Sequence, residues 1–153
     1  MGWSTSLRGA ISALVQAATG APELDGVVVR DGPAVENTDE LTVLYIGWTG
    51  GTGDTDAETS IQPEGLQGNP DREQAVIRCT AWVMSGSGTV ADVRERAYDI
   101  VSGLGAVIDR NRTLNKTVMR AAIGNHSLSQ QQTTGGAQAV ITFEVDTDAY
   151  TVR

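Results

Sequence analysis

Three acids at alternate positions, Asp54, Asp56 and Glu58, close the stretch GWTGGTGDTDAE (47–58) and are the groups here most suited to chemistry. Carboxylates behind a run of glycines suit a phosphate cradle, a calcium loop, or a plain connection between strands. A phosphate cradle of the P-loop kind needs a lysine after its last glycine, and a dinucleotide turn needs a helix N-terminus to hold the pyrophosphate. The residues that follow, DTDAETSIQPEG, supply neither and would repel phosphate. An EF-hand calcium loop needs a further ligand before its glycine turn and a bidentate Glu at its end, and both are missing in register. The stretch therefore reads as a flexible acidic loop, with an adventitious cation as its only small ligand.

The remaining reactive groups are few. His126 is the single histidine, in the polar run NHSLSQQQTTGG (125–136), with no nucleophile setting of the G-x-S-x-G kind. Ser87 stands between glycines in SGSG (85–88), which reads as turn chemistry at a strand end. Cys79 is the only cysteine, so no intramolecular disulfide forms, and its mid-strand position on an apolar face marks a packed thiol. One Cys and one His leave a zinc site mostly carboxylate, which zinc sites rarely are. Lys116 is the only lysine beside ten arginines, an imbalance that fits a GC-rich genome and restricts Schiff-base chemistry to one residue. No catalytic set, metal or cofactor is expected.

The elements that would position these groups follow from periodicity. Trp3, Leu7, Ile11, Leu14, Val15 and Ala18 share one helical face, with Ser4 or Thr5 as cap and Gly20 with Pro22 as stop. GVVVRDGP (26–33) reads as a short strand into a turn. ELTVLYIGW (40–48) is a strand apolar on both faces, hence central in a sheet or under a partner. Residues 49–72 read as a long acidic, Gly-rich loop. REQAVIRCTAWVMSGSG (72–88) is a long strand, with Ala75, Ile77, Cys79, Ala81 and Val83 on one face and Val76, Arg78, Thr80, Trp82 and Met84 on the other. Thr89 and Asp92 form a capping box for a second helix, whose buried stripe runs from Val90 through Ile108. KTVMRAAIG (116–124) and AQAVITFEVDTDAY (137–150) are two more strands, joined by a polar hairpin tip at 124–136. The expectation is a single α+β domain in the order α-β-β-loop-β-α-β-β, a mainly antiparallel sheet with two helices on one face.

Composition bounds the function. A chain of 153 residues can bury a core without disulfides or metal. Its formal net charge of −8 argues against binding a nucleic-acid backbone or an anionic membrane surface. Neither a signal-peptide pattern nor an apolar run of spanning length is evident, so assembly in the cytosol is expected. The sheet offers more apolar surface than two helices cover, and Trp48, Trp82 and Met84 beside long polar loops have the character of a subunit interface.

Taken together, these segments resemble the tail terminator (tail completion) proteins of long-tailed bacteriophages, especially those infecting actinobacteria. The residues that carry the resemblance are the amphipathic LRGAISALVQAA ahead of GVVVRDGP, then DELTVLYIGW with its aromatic–glycine step and Gly/Asp loop. They continue with REQAVIRCTAWVMSGSGTVADVRERAYDIVSGL, a strand joined by a Gly-Ser turn to an Arg-rich helix, and with the Gln-rich GNHSLSQQQTTGGAQAVITFEV. The match spans nearly the whole chain in element order, and VADVRERAYDI is its most characteristic piece. The resemblance implies a structural virion protein without enzymatic activity. It would be a homo-hexameric ring at the head-proximal end of the tail that caps the tail tube, stops its polymerisation and meets the head–tail connector, with DNA passing through the lumen. Trp48, Gly50, Gly51, Asp54, Asp56 and Glu58 are then the expected assembly or lumen loop, the acids repelling passing DNA. Trp82, Met84, Arg94, Arg96 and Gln131 are the expected subunit-interface residues. Alternatives are a head-closure or connector protein, a tail tube subunit, or a small hydrolase using the acidic loop.

Overall fold

The computed structural model describes residues 3–33, 42–51, 53–63 and 70–151. Among them, six strands form one mixed sheet and two helices pack on it, an α+β domain. In chain order these are α1 (Leu7–Ala18), a 3-10 turn (Pro22–Leu24), β1 (Val28–Asp31), β2 (Thr42–Ile46), β3 (Ala57–Gln62), β4 (Asp71–Ser85), α2 (Val90–Arg110), β5 (Arg120–Thr133) and β6 (Gly136–Thr151).

β4 is the axis of the sheet. Its alternating pattern buries Ala75, Ile77, Cys79, Ala81 and Val83 toward the helices, as the period-two reading expects. β6 pairs antiparallel along the whole of β4 and contributes Ala139, Ile141, Phe143 and Val145 to the same core. β5 pairs antiparallel with β6 and ends the sheet on that side. β2 lies between β1 and β4, and Val43, Leu44, Tyr45 and Ile46, which come from both of its faces, are all buried. β1 runs parallel to β2, which makes the sheet mixed.

Both helices lie on one face, α2 across β4, β6 and β5 and α1 beside α2 over β1 and β2. α2 begins with the expected capping box: Thr89 Oγ1 accepts from the Asp92 N–H, and the Asp92 carboxylate accepts from the Thr89 N–H. Its stripe of Val93, Ala97, Ile100, Leu104, Val107 and Ile108 is buried. Gly103 packs against the 3-10 turn rather than the sheet; a Cβ there would stand 2.6 Å from the Glu23 carbonyl oxygen.

Several boundaries differ from the sequence reading. The expected loop 49–72 contains a strand, β3, and the start of β4, while residues 64–69 lie outside the described residues, as do 40 and 41 of the strand expected at 40–48. The expected hairpin tip at 124–136 is mostly strand, because β5 continues to Thr133. The strand expected at 116–124 starts only at Arg120. Leu114, Asn115 and Lys116 have φ of 45°, 59° and 67°, a left-handed turn that mutual Asn111–Asn115 hydrogen bonds hold. Trp3, expected on the buried face of α1, precedes the helix and is 78% exposed. No helix among the described residues is long and apolar enough to cross a membrane.

Candidate functional site

Arg78 lies at the joint between two strands that share one side of β4. β2 pairs with Cys79–Val83 and β3 with Arg72–Ile77, end to end and in the same direction. The Trp48 N–H donates to the Arg78 carbonyl at 2.9 Å, and the Arg78 N–H donates to the Asp56 carbonyl at 2.9 Å. β2 and β3 are thus one interrupted strand, and the glycine-rich stretch is an excursion that leaves the ladder at Trp48 and returns at Asp56. Its glycines have a geometric reason: Gly47, Gly50, Gly51 and Gly53 take φ between 78° and 94°, where a Cβ is strained.

Side chains close the excursion. Arg78 Nη1 donates to the Thr55 carbonyl at 2.9 Å and to Thr55 Oγ1 at 2.7 Å, while Nη2 donates to Glu58 Oε1 at 2.9 Å. Arg78 Nε lies 3.5 Å from Glu144 Oε2 on β6. Asp56 Oδ1 accepts from the Thr49 N–H at 3.2 Å, and Thr80 Oγ1 donates to the Trp48 carbonyl at 2.8 Å. Trp48 sits edge-on to Tyr45, ring centroids 4.7 Å apart. The Arg78 hydrogen bond and charge hold the Glu58 carboxyl below the usual glutamate range. Asp54 is exposed and adds its charge to the field at Arg78. The three acids do not converge: among the described residues no cluster of His, Cys, Asp and Glu has the geometry of a metal site. The loop expected to be flexible is pinned at both ends and through Arg78.

The other reactive groups are also placed. Cys79 is buried, and loss of solvation pushes its thiol up to about 12, which keeps it protonated near neutral pH. His126 lies on β5 rather than in a loop, with Nε2 3.1 Å from the Tyr98 hydroxyl of α2.

One functional-looking acid escaped the sequence reading. Glu73 is fully buried on the core side of β4. It accepts hydrogen bonds from Thr5 Oγ1 at 2.5 Å, the Ser6 N–H at 2.7 Å and the Ser6 hydroxyl. A carboxylate from the sheet therefore holds the N-terminus of α1, where it also favours the helix dipole. Thr5, one of the expected caps, contributes by accepting from the Leu7 N–H at 3.2 Å. The signal was available: extending the Ala75–Ile77–Cys79 alternation backwards puts Glu73 on the apolar face, where a charge needs partners.

The sheet face turned away from the helices carries the remaining candidates. Cross-strand register sets Val43, Trp82, Val140 and Ser129 in one row and Met84, Gln138 and Gln131 in the next. Trp82 and Val140 are half-buried, Met84 is 37% exposed, and Gln131 is exposed. Toward the other end the face becomes charged: Arg72 grips Asp148 with two bonds, at 3.1 and 2.7 Å, and its hydrogen bonds hold that carboxyl below the usual aspartate range. Arg94 and Arg96 lie instead on α2. Arg94 donates to Gln130 at 3.1 Å, and Arg96 donates to the Asp25 carbonyl at 3.1 Å. The structure therefore brings Trp82, Met84 and Gln131 to one surface and places the two arginines on the opposite layer.

No protein-family model matches the chain, and no match to a curated protein reaches significance.

Proposed function

We propose that this chain is a structural virion protein of the tail terminator kind, a ring that caps a phage tail tube, ends its polymerisation and joins the tail to the head connector. The observation that carries the reading is the division of labour across the sheet. Asp56 and Glu58, two of the three acids most suited to chemistry, are engaged together with Arg78 in closing a backbone excursion. Among the described residues, no helix lies over the face with Trp82, Val140 and Met84. Half-buried aromatic and aliphatic side chains with a polar border are what an assembly surface needs.

On this reading the protein acts without a cofactor, as a six-membered ring whose neighbours are its own copies, the tube protein and the connector protein. Asp54, exposed at the outer turn of the excursion, together with the net charge of −8, supports a lumen that repels DNA and lets it slide. The location is the head-proximal end of the tail, after assembly in the host cytoplasm.

The test uses tube elongation. Tail tube protein polymerising in the presence of this chain is expected to stop at short lengths, each tube ending in a ring visible by electron microscopy. Tubes that reach the same lengths with and without it contradict the reading, and long tubes built by this chain alone reassign it to the tube.

A further inference from the structure

Thirteen consecutive residues of β5, Ala121–Thr133, contain no Asp, Glu, Lys, Arg or Pro, in a chain where 20% of residues are charged. β5 ends the sheet: β6 lies on one side, and among the described residues no strand lies on the other. An edge strand presents a row of unpaired N–H and C=O groups, and soluble proteins blunt such edges with charge, proline or short length. β5 runs for 14 residues. Its one irregularity is the register shift between Ile123 and His126, after which His126–Thr133 pairs with β6 without interruption. The strand is also held extended by the helix layer. Gln132 Oε1 accepts from the Val90 N–H at 2.9 Å, and Gln130 Oε1 accepts from Arg94 at 3.1 Å. A partner strand would meet an edge already in its paired conformation, at little further cost in conformational freedom.

The far side of the sheet is edged by β3 along the first half of β4. The only charged residue of β3, Glu58, is bound by Arg78. Strand directions then restrict how the two edges meet. β3 is antiparallel to β4, β4 to β6, and β6 to β5, so β3 and β5 run in opposite directions. A second copy placed beside the first in the same sense, and shifted along the strands so that β1, which lies outside β2 beyond the second half of β4, clears β5, brings its β3 against His126–Thr133 as an antiparallel ladder, the more stable kind. A twofold contact of β5 with β5 leaves β3 uncovered in both copies. A head-to-tail contact covers β5 and β3 in every subunit and forms a closed ring where its rotation closes.

We propose that the free edge of β5 pairs antiparallel with the β3 edge of a second copy of this chain, so that the sheet continues from subunit to subunit. The closure into a ring rests on the tail terminator reading; the pairing itself is tested separately.

Hydrogen exchange on the wild-type protein is the first measurement. A free edge leaves every second amide from Ser127 to Gln132 exchanging at solvent rates, whereas a paired edge slows all of them by at least tenfold. The second measurement uses proline. Along a strand successive N–H groups point to opposite sides, so of S129P and Q130P one removes an outward donor and keeps the near-ultraviolet circular dichroism of the fold. T59P and S60P serve β3 in the same way. Each edge variant alone is expected to be monomeric by light scattering, and an equal mixture of the two is expected to give a dimer of twice the chain mass, because one intact β5 then meets one intact β3. A β3 variant that dimerises alone shows β5 pairing with itself and overturns the proposal. A folded β5 variant that still forms the wild-type assembly overturns the pairing but leaves the ring reading standing. A wild-type monomer with alternating exchange overturns both the pairing and self-assembly of a ring.

Discussion

Arg78 has three hydrogen bonds to Thr55 and Glu58 and ion pairs with Glu58 and Glu144, which tie the return of the glycine-rich stretch to β4 and β6. R78M keeps an unbranched side chain, shorter by two atoms, and removes every side-chain donor. Its expected effect is faster amide exchange at Thr49 and through Gly53–Asp56, with the core strands unchanged; unchanged exchange there would contradict the clamp. The partner acid supplies a pH test. The folded Glu58 carboxyl titrates below its ordinary value, first because of the Arg78 hydrogen bond and then its charge. A depressed carboxyl contributes stability that is present above the unfolded value and lost as pH falls through the folded one. The E58Q variant should therefore be less stable than wild type near neutral pH, and the gap should close on acidification through the carboxylate range. Urea denaturation at a series of pH values reads this directly, and a gap that widens in acid contradicts it. The excursion's glycines were legible as turn residues, and their lack of a lysine or following helix was enough to set phosphate aside. Its order was not legible, because that depends on Arg78, which enters the sequence twenty residues after Glu58 and meets it only through the β3–β4 register.

At the scale of elements, α2 offers a contrast between two glycines that look equivalent in sequence. At Gly103 an added Cβ would stand 2.6 Å from the Glu23 carbonyl oxygen and 2.9 Å from Leu24 Cδ2, inside any permitted contact. At Gly105 it would stand 3.7 Å from Ile123 Cγ1, an ordinary contact. Alanine gains roughly 0.8–1.0 kcal/mol of helix propensity over glycine at either position. G105A is therefore expected to raise stability by up to about 1 kcal/mol. In G103A the overpacking, about 1–3 kcal/mol, outweighs the propensity gain. Thermal melts of the two variants should shift in opposite directions, and a G103A melt above wild type would contradict the close approach of α2 to the 3-10 turn. The two helices, the capping box and the long strands β4 and β6 were readable because each has one dominant period over many residues. β3 was not, since AETSIQ alternates only weakly and is half-buried at best. Its strand character comes from pairing with β4. β5 was misread at both ends for related reasons. The left-handed turn at Leu114–Lys116 has Asn115 as its one residue that favours positive φ, without a glycine or proline, and the polar run after Gly124 resembles a loop until β6 pairs with it.

For the whole molecule, the two-layer fold has its helices on one side, and among the described residues the other sheet face has no helix over it and β5 has no strand on its outer side. The β5 edge carries no charged residue from Ala121 to Thr133 and the Trp82 row carries none, while the chain as a whole carries −8. The most direct measurement of the central claim is the mass and shape of the purified wild-type particle, by light scattering and negative-stain electron microscopy. A closed ring of six times the 16.1 kDa chain mass is the expected result. A protein that remains monomeric up to high concentration, or that forms a closed twofold dimer with no ring in the images, would contradict it.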